Sequence, residues 1–179
     1  MKSPKEKRFD EIVQTYSERL YYHVRRMVGF HQEADDVLQN TLLKVWLNLE
    51  KYRGDAQIYT WIYRIATNEA IEHLRKKARK SSISIEDLNQ TDLQKLTSDT
   101  YFDETAAEAH FELALAALPP KQRAVFQLKY FEEMKYEEMS EVMGTSVGAL
   151  KASFHHAKKK IEDFLNTPLN ESSSLTSNK

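Results

Sequence analysis

GTSVGALKASFHHAKKKI, Gly144–Ile161, separates into two faces when wound at about 100° per residue. Val147, Leu150, Phe154, Ala157 and Ile161 fall on one side, a stripe that must pack on other helices. Gly148, Ala152, His155 and Lys159 lie opposite, flanked by Ala149, His156 and Lys160, with Ser153 at the boundary. The outer face is small in its N-terminal half and cationic in its C-terminal half. Small outer residues let a helix bring its backbone close to another surface, and the lysines require that surface to be negative. Upstream, YEEMSEVMGTS supplies a short helix, a turn at Gly144 and a cap at Ser146. Helix, glycine turn and second helix form the helix-turn-helix pattern, whose second helix enters the DNA major groove N-terminus first. An ordinary helical hairpin with a solvated Lys/His face fits the same spacing. A metal pair at His155 and His156 does not, because adjacent helical residues do not face one point.

The rest of the 179-residue chain carries a related signal. Its formal net charge of −1 conceals strong local imbalance. Arg64–Lys80 holds six basic residues against two acidic ones, and Lys151–Lys160 holds four lysines and no acid. Between them, Ser82–Glu112 holds eight acidic residues against one lysine. Two basic helical segments around an acidic connector predict two contacts with a polyanion. A near-zero total argues against indiscriminate coating of DNA. The absence of cysteine excludes disulfides and thiolate metal sites. No apolar run approaches the roughly 20 residues of a membrane span, and the basic start lacks the apolar core of a signal peptide. A cytoplasmic protein without membrane insertion is expected.

Glycine and proline are scarce and sit at plausible boundaries, so the expected class is all-α. Phe9, Ile12, Val13, Tyr16, Leu20, Val24, Met27 and Val28 predict a first helix ending near Gly29. Ala34, Val37, Leu38, Thr41, Leu42, Val45, Trp46 and Leu49 predict a second, with acids in its first turn. A loop, KYRGDAQIYT, precedes a third helix beginning near Trp61. Periodicity fades from Ser81 to Thr105, returns at Phe111, Leu115 and Leu118, and continues after PPKQ, where proline suits a first turn. The expected organisation is a basic N-terminal extension at 1–8, a helical domain at 9–80, a flexible acidic linker at 81–105, a second helical domain at 106–165 and a disordered tail at 166–179.

Between Tyr52 and Lys80, aromatics interleave with bases: Tyr52, Arg53, Tyr59, Trp61, Tyr63 and Arg64, then Asn68 and RKKARK. A cationic track with stacking rings suits single-stranded nucleic acid, each stacked base contributing ~1–3 kcal/mol. The same rings also fit a partly core role, with the lysines solvating a helix end. Asp35 and Asp36 are adjacent on a helix and lack a His or Ser partner, so no catalytic site is expected. Neither a metal site nor a cofactor is expected.

Both segments resemble one family. EADDVLQNTLLKVWLNLEKYRGDAQIYTWIYRIATNEAIEHLRK resembles region two of bacterial sigma factors, and LAALPPKQRAVFQLKYFEEMKYEEMSEVMGTSVGALKASFHHAKKKI resembles region four. Their order and the acidic linker resemble the extracytoplasmic-function (ECF) group of the sigma-70 family. The resemblance implies a non-enzymatic subunit that brings core RNA polymerase to promoter DNA and is monomeric when free. It implies that Asp36, Gln39, Asn40 and Leu43 dock on the β′ clamp coiled coil, and that the helix Lys121–Tyr130 shares in gripping the β-flap. The loop Lys51–Thr60, with Tyr52, Arg53 and Tyr59, would capture a flipped base of the opened minus-ten element. The following helix would track the non-template strand through Trp61, Arg64, Asn68, Arg75, Lys76 and Lys77. Duplex minus-thirty-five DNA would meet Ser146, Gly148, Ala149, Lys151, Ser153, His155, His156 and Lys159. Relatives often carry arginines where Ser153 and His156 stand and threonine where Ala149 stands, which implies weak DNA binding by the isolated protein. The resemblance also implies an anti-sigma factor as a partner. The alternative is a conventional helix-turn-helix regulator, which predicts tight duplex binding without polymerase, usually as a dimer.

Overall fold

The computed structural model describes residues 2–82 and 106–167, and those residues form seven α-helices and one 3₁₀ turn with no strand. Helix α1 spans Pro4–Val28. Ser3 caps it, its side chain accepting from the Glu6 N–H while the Glu6 carboxylate accepts from the Ser3 N–H. With Pro4 in the first turn, where no intrahelical donor is needed, the helix starts well before its apolar stripe does. Most of the stretch expected as a separate extension at 1–8 therefore belongs to α1. The helix stops at Gly29, whose φ of 91° suits only glycine.

Helix α2 (His31–Asn48) runs into the 3₁₀ turn Leu49–Lys51. Helix α3 (Ile58–Ser81) begins three residues earlier than the sequence suggested. Gln57 precedes it with no side-chain cap, so nothing in the local sequence announced that start. Helices α1, α2 and α3 pack pairwise. Their shared core holds Leu20, Val24, Met27, Val37, Val45, Ile62, Ala66 and Ala70.

The second half contains α4 (Ala106–Ala116), α5 (Pro120–Tyr130), α6 (Tyr136–Met143) and α7 (Val147–Asn166). Gly144 ends α6 in the left-handed region at φ 62°, and Ser146 caps α7 by accepting from the Ala149 N–H. The helix-turn-helix expected from the sequence is therefore present. Helix α7 lies on α4, α5 and α6. Ala114, Leu115, Leu118, Phe126, Ala157 and Ile161 form a core confined to this half. The expected linker, 81–105, lies outside the described residues except for Ser81 and Ser82, as does the tail beyond Thr167.

The two halves also share a core, an arrangement the sequence could not specify. Helix α6 packs on α3, and α5 touches α1 and α3. Met134, Met139, Val142 and Leu150 join the apolar cluster of the first half. Polar groups pin the same seam. Glu132, its side chain 6% exposed, accepts from Tyr63 Oη at 2.6 Å and from Arg19 Nη2 at 2.9 Å. Burial, then the bond to Glu132, raises the Tyr63 pKa. Arg123 reaches from α5 to donate to the carbonyl of Met27 at 2.5 Å and to those of Ala116 and Leu118. Arg26 lies 3.9 Å from the Phe131 ring centre and 3.6 Å from Glu112.

Candidate nucleic-acid interface

Three outward stripes leave this core. The first is on α2, where Asp36, Gln39, Asn40 and Leu43 are exposed at helical spacing. Leu47, one turn beyond Leu43, is exposed as well; the two leucines are 55% and 58% exposed. The two form an exposed apolar step on a helix whose opposite face is packed. Leu47 was absent from the sequence expectation, although its four-residue step from Leu43 was legible.

The second stripe starts in the loop before α3. Tyr52 donates through its hydroxyl to the Ala56 carbonyl, which closes the loop over Gly54 at φ 82°. The Tyr52 ring rests against Trp61, with centroids 5.0 Å apart. Both rings are partly buried, so each combines core packing with an accessible edge. Arg53, Arg64, Asn68, Arg75 and Lys76 are exposed. Arg64, Asn68 and Arg75 continue outward from Trp61 along α3, and neither arginine has an ion-pair partner among the described residues.

Two expected members of this track point elsewhere. Lys77 pairs with Glu33 at 2.7 Å and covers the Phe30 ring at 4.8 Å. Glu33 is more than half buried there, and bonds from His73 and Lys77 hold its pKa below the usual carboxylate value against the opposing desolvation. Tyr59 turns toward α6, where Glu138 faces it; the interaction with the Tyr59 hydroxyl is the main cause of the lowered Glu138 pKa. The reason is the seam: a tyrosine at the start of α3 faces whatever packs on that helix, and here α6 does.

The third stripe is the outer face of α7. Gly148, Ala149, Lys151, Ala152, His155, His156 and Lys159 are exposed, and Ser153 is partly buried at the boundary. A Cβ built on Gly148 would meet nothing within 4 Å, so space is not why glycine occurs there. Lys151 leans over the Tyr136 ring at 5.6 Å, and Lys158 pairs loosely with Glu162 at 3.7 Å. Ser146 is committed to its cap, which makes its first role structural. Helix α5, expected to grip a polymerase element, is buried through Arg123–Leu128 and exposes only its ends, Lys121 and Tyr130.

The described residues contain no group of three His, Cys, Asp or Glu that could hold a metal ion. No described helix is long and apolar enough to cross a membrane. The arrangement presents three surfaces: a bare, cation-tipped helix face on α7, an aromatic and cationic ridge on α3, and an exposed leucine stripe on α2.

Comparison with known proteins agrees with these features. Residues 12–80 match the family "Sigma-70 region 2", and residues 110–161 match "Sigma-70, region 4". RNA polymerase sigma-H factor of Pseudomonas aeruginosa is 32% identical over 91% of this chain and 89% of its own. ECF RNA polymerase sigma factor SigW of Bacillus subtilis is 29% identical over 86% of each chain. The fold is that of the sigma factor RpoE in complex with the anti-sigma factor NepR from Bartonella quintana, with a TM-score of 0.70 at 20% identity over 90% of this chain and 98% of that one. CnrH in complex with the cytosolic domain of CnrY gives a TM-score of 0.62 at 22% identity over 88% and 87%. The chain therefore belongs to the sigma-70 family of RNA polymerase sigma factors, within its ECF group.

Proposed function

We propose that the three stripes divide the work of promoter recognition as follows. Residues 9–80 dock on core RNA polymerase through Asp36, Gln39, Asn40, Leu43 and Leu47, with the β′ clamp coiled coil as the receiving surface. The same domain captures opened minus-ten DNA: Tyr52 and Trp61 stack unpaired bases, Arg53, Arg64, Arg75 and Lys76 address phosphate, and Asn68 reads a base edge. Residues 106–165 place α7 in the major groove of the minus-thirty-five element, and 81–105 bridge the two. Melting duplex costs unstacking energy, and the stacked rings and cationic ridge offset it. The chain contributes binding and positioning, with the chemistry left to the polymerase, and it works in the cytoplasm where that enzyme is. An anti-sigma factor is a partner by analogy with the two complexes of the same fold.

The observation that supports this most is the contrast carried by one chain. An α7 face stripped of large side chains at Gly148, Ala149 and Ala152 coexists with a ring-and-arginine ridge on α3. Run-off transcription from sheared DNA of the source organism, with bacterial core polymerase, tests it. Discrete transcripts that require the protein are expected. No transcripts together with no binding to core would sink the reading in favour of a conventional regulator.

A further inference from the structure

The N-terminal turns of α1 lie beside the base-capturing loop, a juxtaposition that the family match beginning at residue 12 does not cover. Helix α1 runs antiparallel to α2, so its first turns meet the C-terminal end of α2 and the loop after it. Phe9 packs edge-on against Trp46 with centroids 5.2 Å apart, and Lys5 lies over the Trp46 ring at 4.4 Å. One turn on, the Arg8 guanidinium sits 5.2 Å from the centre of the Tyr52 ring. Tyr52 in turn rests on Trp61. Arg8, Tyr52 and Trp61 are therefore linked by successive contacts, with the two rings tilted at 36° to each other, and Arg64 and Asn68 follow Trp61 on the exposed side of α3.

Two of the neighbouring cations are already paired. Lys2 pairs with Asp10 at 2.6 Å and Lys5 with Glu50 at 3.4 Å. Arg8 is exposed, and no ion pair to it is found among the described residues. A planar guanidinium held against a ring keeps its donors pre-ordered and pointing outward, an arrangement suited to bidentate contact with phosphate. Arg8 also lines an open surface groove together with Lys5, Glu6, Trp46 and Glu50.

We infer that Arg8 is a phosphate-binding residue for the single-stranded promoter strand. It extends the capture site from the loop onto α1 by the nucleotide next to the base held at Tyr52 and Trp61. This rests on the reading of α3 as the strand-tracking helix, so the test must separate the two.

The test measures binding of fluorescent single-stranded non-template oligonucleotides to the full chain assembled with core polymerase, at several salt concentrations. Each phosphate contact on a single strand contributes a slope of about −0.7 in log K against log salt. Arg8→Ala is expected to weaken binding several-fold and to shallow the slope by about 0.7, while Arg8→Lys, which keeps the charge, retains the slope. Trimming the oligonucleotide one nucleotide at a time from each end should abolish the Arg8 effect at one end while the Arg64→Ala effect persists. An unchanged slope for Arg8→Ala beside a reduced slope for Arg64→Ala overturns the Arg8 assignment alone. Unchanged slopes for both overturn the strand-tracking reading with it. Weakened assembly with core at an unchanged DNA slope would assign Arg8 to a protein contact and equally overturn the proposal. Matching melting curves for all three variants exclude a folding effect.

Discussion

Helices α3 and α7, the two proposed to meet nucleic acid, are built in opposite ways. Helix α3 is surrounded: α1 and α2 hold one side, α5 and α6 another, and only a narrow ridge remains outward. Helix α7 is packed along one stripe, Leu150, Ala157 and Ile161, and is open over the rest. Large rings on α3 need that support, because a stacking platform works only if its rotamers are already fixed. A groove-entering helix needs the reverse, small residues and clear space around a rigid backbone. Single-strand capture and duplex reading therefore place contrary demands on burial, and on the proposed reading this chain would meet them on separate helices.

The largest effect should come from filling the clear space. Gly148→Glu adds a carboxylate where nothing of the protein lies nearby, so the fold should hold and the helix gain propensity. Duplex minus-thirty-five binding by the polymerase complex should fall roughly 100-fold or more, since like charges facing each other cost several kcal/mol. Binding that survives this change would remove α7 from the groove. Next, Trp61→Ala should weaken single-strand capture by ~1–3 kcal/mol and leave duplex binding alone. Equal losses in both assays would show that the two helices do not divide the work.

The third test uses caps. Helix α7 depends on Ser146, so Ser146→Ala should destabilise the protein by about 1 kcal/mol in denaturant melts. Gln57→Ala, before the fully packed α3, should cost within about 0.5 kcal/mol, as it removes no cap bond. The reverse order would contradict the burial contrast. The smallest effect concerns pH. The inner side of α3 carries Thr67, which shares a hydrogen bond of 2.9 Å with fully buried His23, whereas the buried stripe of α7 is wholly apolar. Burial, then the Arg26 charge, lowers the His23 pKa to about 3 from 6.5. The unfolded chain therefore binds the proton more readily, and stability falls as pH drops through the unfolded value. From pH 7.5 to 6 the loss should be about 0.8 kcal/mol, and His23→Gln should flatten that part of the curve.

Much of this was legible before any coordinates. The α7 stripe, its cap and the Gly144 turn are local, and period plus cap chemistry determine them. So are the exposed leucine step on α2 and the Gly29 stop. Long-range features were not legible. Arg123 in PKQRAVF has the sequence appearance of a surface residue, yet it is 2% exposed and donates to three carbonyls, one of them 96 residues away in sequence. Tyr63 and Glu132 are 69 residues apart, and nothing local to either announces the other. The early starts of α1 and α3 were hidden for different reasons: charged residues mask the first turns of α1, and an uncapped glutamine precedes α3. Tyr59 and Lys77 looked like members of the strand track because their type and position fit, but tertiary partners claimed their side chains.

The shared core has a consequence for how tightly this protein can bind a promoter. Helix α7 lies on α6 and α6 on α3, and two such layers at ~8–10 Å each place the two helices proposed to read DNA roughly 20 Å apart. The elements they read are separated, by their names, by about 25 base pairs, or ~85 Å of duplex at 3.4 Å per pair. A molecule closed at the Tyr63–Glu132–Arg19 cluster cannot occupy both sites. Every productive encounter must draw on the fraction of molecules in which that seam has parted, and the apparent dissociation constant is the intrinsic one divided by that fraction. On the proposed reading, the side chains that hold the two halves together would act as a threshold on transcription, set by residues that need not touch DNA or polymerase.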